Sequence, residues 1–179
     1  MKLIVLDRDG VINQDSDAYI KSVEEWHPIP GSLEAIARLY HAGYRIVIAT
    51  NQSGLARGLF TIEDLNAIHR TLRWKLARLG GQIEAIFFCP HAPDAGCRCR
   101  KPATGLIDDI GRRLQTSLAD VPFIGDSFKD VQAAQAVGAL PILVLTGKGR
   151  MTLESHRGEL DGVAVYADLA AAAEAILGG

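Results

Sequence analysis

Two aspartates, Asp7 and Asp9, follow directly on the apolar run Leu3-Ile4-Val5-Leu6 and flank Arg8 ahead of Gly10. Acids spaced i, i+2 at a strand end can share one divalent cation, one of them close to a reacting phosphorus and the other free to exchange a proton. The same Asp-x-Asp-Gly string also makes an ordinary polar turn. Further polar clusters recur along the chain. Thr50-Asn51 follows a second apolar run, Arg100-Lys101-Pro102 follows a cysteine-rich window, and Asp126 with Asp130 follows Pro122-Phe123-Ile124.

Brought together, these groups have the parts that hydrolysis of a phosphate monoester requires. A monoester dianion repels anionic nucleophiles, so charge must be neutralised first. Mg²⁺ held by Asp7, the main-chain carbonyl of Asp9 and Asp126 is expected to screen some phosphate oxygens, with Lys101 and the Thr50 hydroxyl on the others. Asp7 then attacks phosphorus in line to give an aspartyl-phosphate. Asp9 protonates the leaving alcohol and afterwards, as a carboxylate, activates water. Arg100 is either a solvated surface cation or a contact to a substrate phosphate or hydroxyl.

The elements that must position these residues alternate. Leu3–Leu6 has no polar alternation and reads as a strand buried on both faces. Ser32 is expected to cap a helix closed by Gly43, and Arg45–Ala49 is the next buried strand. Thr61 caps a helix from Ile62 to about Leu79, stopped by Gly80-Gly81. A strand over Ile83–Phe88 precedes the cysteines, and a helix over Gly105 to about Leu118 returns the chain. Pro122–Ile124, a helix from Phe128 to Val137, Pro141–Leu145, a weaker strand Val163–Tyr166 and an alanine-rich helix capped by Asp168 complete the series. This βαβα rhythm predicts an α/β fold, a doubly wound parallel sheet, whose ligands bind beyond the carboxyl ends of the strands. The segments between the polar clusters leave no room for a large cap domain.

With 179 residues and 48% hydrophobic content, the chain is expected to form one domain over residues 1–179. A net charge of -2 gives no polybasic surface, so neither nucleic acid nor membrane is expected as a partner. No apolar run reaches the roughly 18 residues needed to span a bilayer. The first strand starts at once, without room for a leader, so a cytoplasmic protein is expected, monomeric and acting on a small molecule.

The three cysteines, Cys89, Cys97 and Cys99, fall in one short window with His91. Three thiolates and an imidazole fill a tetrahedral Zn²⁺ site, and a closed four-ligand site is structural. The alternatives are a buried free thiol at Cys89 and a strained bridge between Cys97 and Cys99. A zinc-pinned loop running straight into Arg100-Lys101 would hold both cations at the crevice.

Asp7-x-Asp9-Gly-x-x-Asn13, Thr50-Asn51, Lys101-Pro102 and Gly125-Asp126-Ser127-x-x-Asp130 resemble, in order, the four motifs of the haloacid dehalogenase-like phosphatases. The resemblance covers most of the chain and implies a Rossmann-like fold. It also implies Asp7 as nucleophile, Asp9 as general acid and base, Thr50 and Lys101 as phosphoryl stabilisers, and Asp126 as a metal ligand. Asp130 either orients metal waters or Lys101, or is a helix-surface carboxylate without a role. Cys-Pro-His and Cys-Arg-Cys-Arg-Lys-Pro are similar to the zinc-loop branch of that family, whose members act on a heptose bisphosphate or on histidinol phosphate. The resemblance implies Asn51, Gln52 and Ser53 as substrate contacts, Asp15 to Tyr19 as a further edge, and Arg57 near a second phosphate. Ser127 stands where many members carry lysine. Against an enzyme stands a silent module that binds a sugar phosphate or a protein; such a relative is expected to lose one acid of the first pair, and both are present. Gly147-Lys148-Gly149 reads as a turn away from the site. His41, His69 and His156 lack ligand spacing, and Trp74 is expected on a helix packing face.

Overall fold

The structure is a computed structural model and describes residues 2–179. Six strands form one sheet: β1 (Leu3–Leu6), β2 (Arg45–Asn51), β3 (Ala85–Cys89), β4 (Pro122–Gly125), β5 (Leu140–Val144) and β6 (Ala164–Tyr166). Their order is β3-β2-β1-β4-β5-β6, and every neighbouring pair is parallel. Among the described residues the α-helices are α1 (Ser32–His41), α2 (Ile62–Ala77), α3 (Gly105–Leu114), α4 (Phe128–Ala136), α5 (Gly149–Ser155) and α6 (Leu169–Gly178).

The unbroken apolar run of β1 has a direct cause. Ile4 and Leu6 pack into the core under α1, α2 and α6, whereas Leu3 and Val5 face the core under α3 and α4. Strand side chains alternate between faces, so a strand covered on both sides must be apolar throughout. The sheet is therefore doubly wound, as expected, and the strand order reverses between β1 and β4. That switch point is where the crevice opens.

Several boundaries differ from the sequence reading. Ser32 is not the cap of α1: Gly31 takes that place in the left-handed region at φ 83°, and the Ser32 hydroxyl donates 2.6 Å to the Ile12 carbonyl. α3 ends at Leu114 rather than near Leu118 because Gln115 turns left-handed at φ 52°. Thr61 does cap α2, in a reciprocal box with Asp64, but the helix stops at Ala77. Trp74 is 58% exposed, contrary to expectation, with the Arg78 guanidinium 4.9 Å from its ring centroid. The helical period placed it correctly on α2; the opposite stripe, Leu65, Ile68, Leu72 and Leu76, is the one that meets the core. Among the described residues no helix is long and apolar enough to cross a membrane.

Candidate active site

β1, β2 and β4 are neighbours in the sheet, so residues at their carboxyl ends converge. Asp7, Asp9, Thr50, Asn51 and Asp126 all line one cavity of about 610 Å³. Lys101, from the loop before α3, stands behind Asp7, its Nζ 3.1 Å from Asp7 Oδ1, 2.6 Å from Asp130 Oδ1 and 2.7 Å from the Ala49 carbonyl. At 2% exposed, this ammonium is held by two carboxylates and a carbonyl. Asn51 clamps the same residue by its backbone, donating to the Lys101 carbonyl and accepting from the Lys101 amide at 3.2 and 3.1 Å. A cis peptide bond joins Lys101 to Pro102.

Asp130 is 1% exposed, which excludes the surface-carboxylate reading. Its Oδ1 holds Lys101, while its Oδ2 accepts from the Ser127 amide and hydroxyl at 3.1 and 2.7 Å, capping α4. Ser127 is thus one half of a capping box.

The carboxylates of Asp7 and Asp9 are treated differently by their surroundings. Burial pushes the Asp7 carboxyl up to about 7 against the pull of Lys101, with Asp130 and Asp9 adding repulsion. For Asp9, burial acts in the same direction but is outweighed by Arg8, Asn13 and Gln52, and its carboxyl sits below the usual carboxylate range. Asp9 Oδ1 accepts from Arg8 Nε at 2.9 Å and Asn13 Nδ2 at 2.9 Å, and Arg8 Nη2 forms an ion pair with it at 2.8 Å without a hydrogen bond. Asp9 Oδ2 receives only Gln52 Nε2 at 3.0 Å, a group that also donates to Thr50 Oγ1 at 3.0 Å. One oxygen of Asp9 is saturated and the other retains capacity for a proton.

Asp126 is gripped by a loop that the sequence reading set aside. The Lys148 amide donates to Asp126 Oδ2 at 2.8 Å, and the Thr152 hydroxyl to the Asp126 carbonyl at 3.0 Å. The Gly147-Lys148-Gly149 turn is therefore part of the site, and it opens α5, which was not anticipated. Glycine is required at two places here: a Cβ on Gly10 would lie 2.0 Å, and one on Gly147 2.2 Å, from Asp126 Oδ2. Both also have positive φ, at 81° and 54°.

Asp7, Asp126 and Asp130 bring carboxylate oxygens within 4.8 Å of one another. Burial first, then Asp7 and Asp130, push the Asp126 carboxyl up to about 8. Crowded, buried carboxylates of this kind are relieved by a hard cation, and an all-oxygen donor set suits Mg²⁺. The residues fit that ion.

The second cluster lies beside the first. Cys89 Sγ is 3.6 Å from Cys97 Sγ and 3.1 Å from Cys99 Sγ, and the Cys97–Cys99 separation is 3.7 Å. His91 Nδ1 lies 3.6 Å from Cys89 Sγ and 3.2 Å from Cys99 Sγ. Ligands about 2.3 Å from a tetrahedral zinc stand roughly 3.8 Å apart, whereas a disulfide would bring sulfurs to about 2.05 Å. All three cysteines are free, and the edges match a metal tetrahedron slightly contracted around its centre. The residues fit Zn²⁺, and the bridge between Cys97 and Cys99 is excluded.

Other expected residues fall in several places. Asp15, Tyr19, Gln52, Ser53 and Arg100 line the cavity. Gln52 and Ser53 are buried, and Gln52 is turned onto Asp9. Arg57 is not in the cavity wall; its guanidinium sits 5.8 Å from the Tyr19 ring centroid. Arg100 keeps one buried guanidinium nitrogen, Nη1, with no hydrogen-bond partner. The sequence reading missed Arg8, wholly buried behind Asp9, as well as Lys148, which pairs with Asp15 at 3.5 Å across the mouth, and the Phe128–His156 stack in the wall. An arginine between two acids at the end of a buried strand was the available signal for the first.

A family model described as HAD-hydrolase-like matches residues 98–172. The D-glycero-beta-D-manno-heptose-1,7-bisphosphate 7-phosphatase of Bordetella bronchiseptica is 58% identical over 177 residues, covering 99% of this chain and 98% of its own. The chain belongs to the heptose-bisphosphate phosphatase family. The Pseudomonas putida member is 52% identical over 99% of this chain and 100% of its own. The crystal structure of the B. bronchiseptica family member, complexed with magnesium and phosphate, superposes with a TM-score of 0.96 over 99% of both chains at 57% identity. The Burkholderia thailandensis family member superposes with a TM-score of 0.79 at 46% identity over the full length of both.

Proposed function

We propose that this chain is a Mg²⁺-dependent phosphatase, acting as one domain, that removes the 7-phosphate of D-glycero-β-D-manno-heptose 1,7-bisphosphate. The observation that carries the reading is the seating of Asp7, Asp9 and Asp126 around one cavity, with Lys101 paired to Asp7 behind it, in a chain 58% identical to such an enzyme along 99% of its length.

An Asp7 oxygen attacks phosphorus, and the bond from phosphorus to the sugar oxygen breaks with its electron pair on that oxygen. Asp9 Oδ2, the oxygen with spare capacity, takes up a proton from solvent when the anionic phosphate lies beside it and gives that proton to the leaving oxygen. The alcohol departs, and the Asp9 carboxylate takes a proton from the water that attacks the aspartyl-phosphate, releasing inorganic phosphate and restoring Asp7. Lys101, with its ammonium fixed by Asp130, and the Thr50 hydroxyl offset charge on the phosphoryl oxygens. Asp7, Asp126 and the main-chain carbonyl of Asp9 hold Mg²⁺, which when bound supplies further charge neutralisation there. Cys89, His91, Cys97 and Cys99 would hold Zn²⁺, which would pin the loop that delivers Arg100 and Lys101. Arg100, Asn51, Ser53, Asp15 and Tyr19 face the rest of the substrate, Gln52 sets Asp9, and Arg57 braces Tyr19 from outside. The protein acts as a cytoplasmic monomer on a small sugar phosphate, without nucleic acid or membrane, in the synthesis of nucleotide-activated heptose for lipopolysaccharide or surface glycans.

The test is phosphate release with Mg²⁺ from both anomers of the heptose bisphosphate beside histidinol phosphate at equal concentrations. A hundredfold preference for the β anomer is expected, and Asp7→Asn should abolish turnover while leaving the fold intact. Preference for histidinol phosphate would overturn the substrate, and undiminished release by Asp7→Asn would overturn the nucleophile.

A further inference from the structure

Arg8 stands between the two acids that follow β1, yet its side chain is 0% exposed. A guanidinium has five donors and no acceptor, and burying one without partners is costly. Nε donates to Asp9 Oδ1 at 2.9 Å, and Nη2 stands 2.8 Å from the same oxygen as an ion-pair contact without a hydrogen bond of its own. The remaining terminal nitrogen, Nη1, lies 3.1 Å from Nε2 of His69. Because Arg8 can only donate, Nε2 is the acceptor in this contact, and that nitrogen carries no proton.

His69 belongs to α2, on the stripe where Leu65, Ile68, Leu72 and Leu76 are buried. The register of that stripe calls for an aliphatic residue. A histidine there costs apolar contact, and its 8% exposure leaves little room for water. Burial and then the neighbouring Arg8 charge pull the imidazole down to about 3, so it stays neutral and able to accept at ordinary pH. Its ring lies at a tilt to Phe88, with centroids 6.5 Å apart.

We infer that His69 is a positioning residue for phosphoryl transfer: by accepting from Arg8 Nη1 it fixes the guanidinium fork on Asp9 Oδ1, and so presents Asp9 Oδ2 to the cavity. This rests on the assignment of Asp9 as the group that exchanges protons with leaving oxygen and water. Without His69 the fork loses its anchor and pivots about the bonds of its own stem. Asp9 then keeps Asn13 on Oδ1 and Gln52 on Oδ2, two donors that allow the carboxylate to rotate. A group in proton transfer tolerates such drift poorly, and a displacement of about 1 Å can cost on the order of 100-fold.

The contrast that tests this is His69→Gln against His69→Leu, measured with Mg²⁺ on the β-heptose bisphosphate and on p-nitrophenyl phosphate. A glutamine carbonyl can reach Arg8 as Nε2 does; leucine fills the stripe without an acceptor. Leucine should lower kcat on the sugar phosphate about 10- to 100-fold with KM within about twofold, and glutamine should recover most of it. On the aryl ester, whose leaving group needs little protonation, kcat/KM should hold in both variants. Should the leucine variant not fold, His69→Asn, whose shorter amide cannot reach Arg8, replaces it. The inference is overturned if the leucine variant stays within twofold of wild type, if glutamine and leucine fall alike, or if both esters lose kcat/KM equally. A wild-type protein that releases phosphate from neither ester overturns the proposed function and this role with it; one that turns over while the leucine variant matches it overturns this role alone.

Discussion

Asp130 carries two loads at once, and removing it separates them. In Asp130→Ala the buried Lys101 ammonium loses its 2.6 Å partner, and α4 loses the acceptor of its Ser127 amide and hydroxyl. Breaking a buried ion pair from one side costs about 3–5 kcal/mol. Lys101 retains Asp7 at 3.1 Å and the Ala49 carbonyl at 2.7 Å, and a crowded acid is removed from beside Asp7 and Asp126, so the lower end of that range applies. Loss of the cap adds about 1 kcal/mol. The sum, about 4 kcal/mol, corresponds to a fall in Tm of roughly 8–16 °C for a chain of this size. Ser127→Ala removes only the hydroxyl bond to Asp130 Oδ2 and should lower Tm by about 2–4 °C. Thermal unfolding followed by circular dichroism, with Mg²⁺ and Zn²⁺ present throughout, reads both. A Tm for Asp130→Ala within 2 °C of wild type, or equal losses for the two variants, would refute the assignment of Asp130 as the anchor of Lys101.

The zinc loop makes a separate claim: purified protein should hold about one tightly bound Zn per chain by elemental analysis, and Cys97→Ser should lose it together with several degrees of Tm. A stable protein without the metal would refute the site. For His69 the sign runs against acid. Its pKa falls from 6.5 to about 3 on folding, so its contribution is complete above pH 6.5 and is lost as pH drops, because the unfolded chain takes up a proton that the folded one refuses. By pH 5 the loss is about 2 kcal/mol, and the urea midpoints at pH 7 and pH 5 should differ less in His69→Gln than in wild type; an equal difference in the two proteins would sink the argument. Gly147→Ala forces a Cβ to 2.2 Å from Asp126 Oδ2 and 2.5 Å from the Gly10 Cα, at a φ of 54°. It should cost about 2 kcal/mol or more and raise the Mg²⁺ concentration needed for half-maximal activity; an unchanged Mg²⁺ titration would show that the loop does not shape Asp126.

What the sequence made legible was whatever the chain writes locally. Asp7 and Asp9 sit two apart at the end of an apolar run, and the strand period alone says that they leave the sheet at its ligand-binding edge. The cysteine window is similar, since its four candidate ligands lie within eleven consecutive residues. The contacts that were not legible join distant segments through register. Lys148 reaches Asp126 across 22 positions because β5 pairs with β4 in parallel, and a loop leaving one strand must pass the end of the next. Its lysine spacing did not resemble a phosphate loop because it is not one; it holds a carboxylate through a backbone amide, which any residue could supply. His69 is 61 positions from Arg8, and its place depends on which face of α2 turns inward. The same rotation that buries His69 leaves Trp74 in solvent, so a reading that put Trp74 on the packed face could not also have found His69 behind Asp9. The face chosen for one helix thus decided whether the support of a catalytic acid was visible.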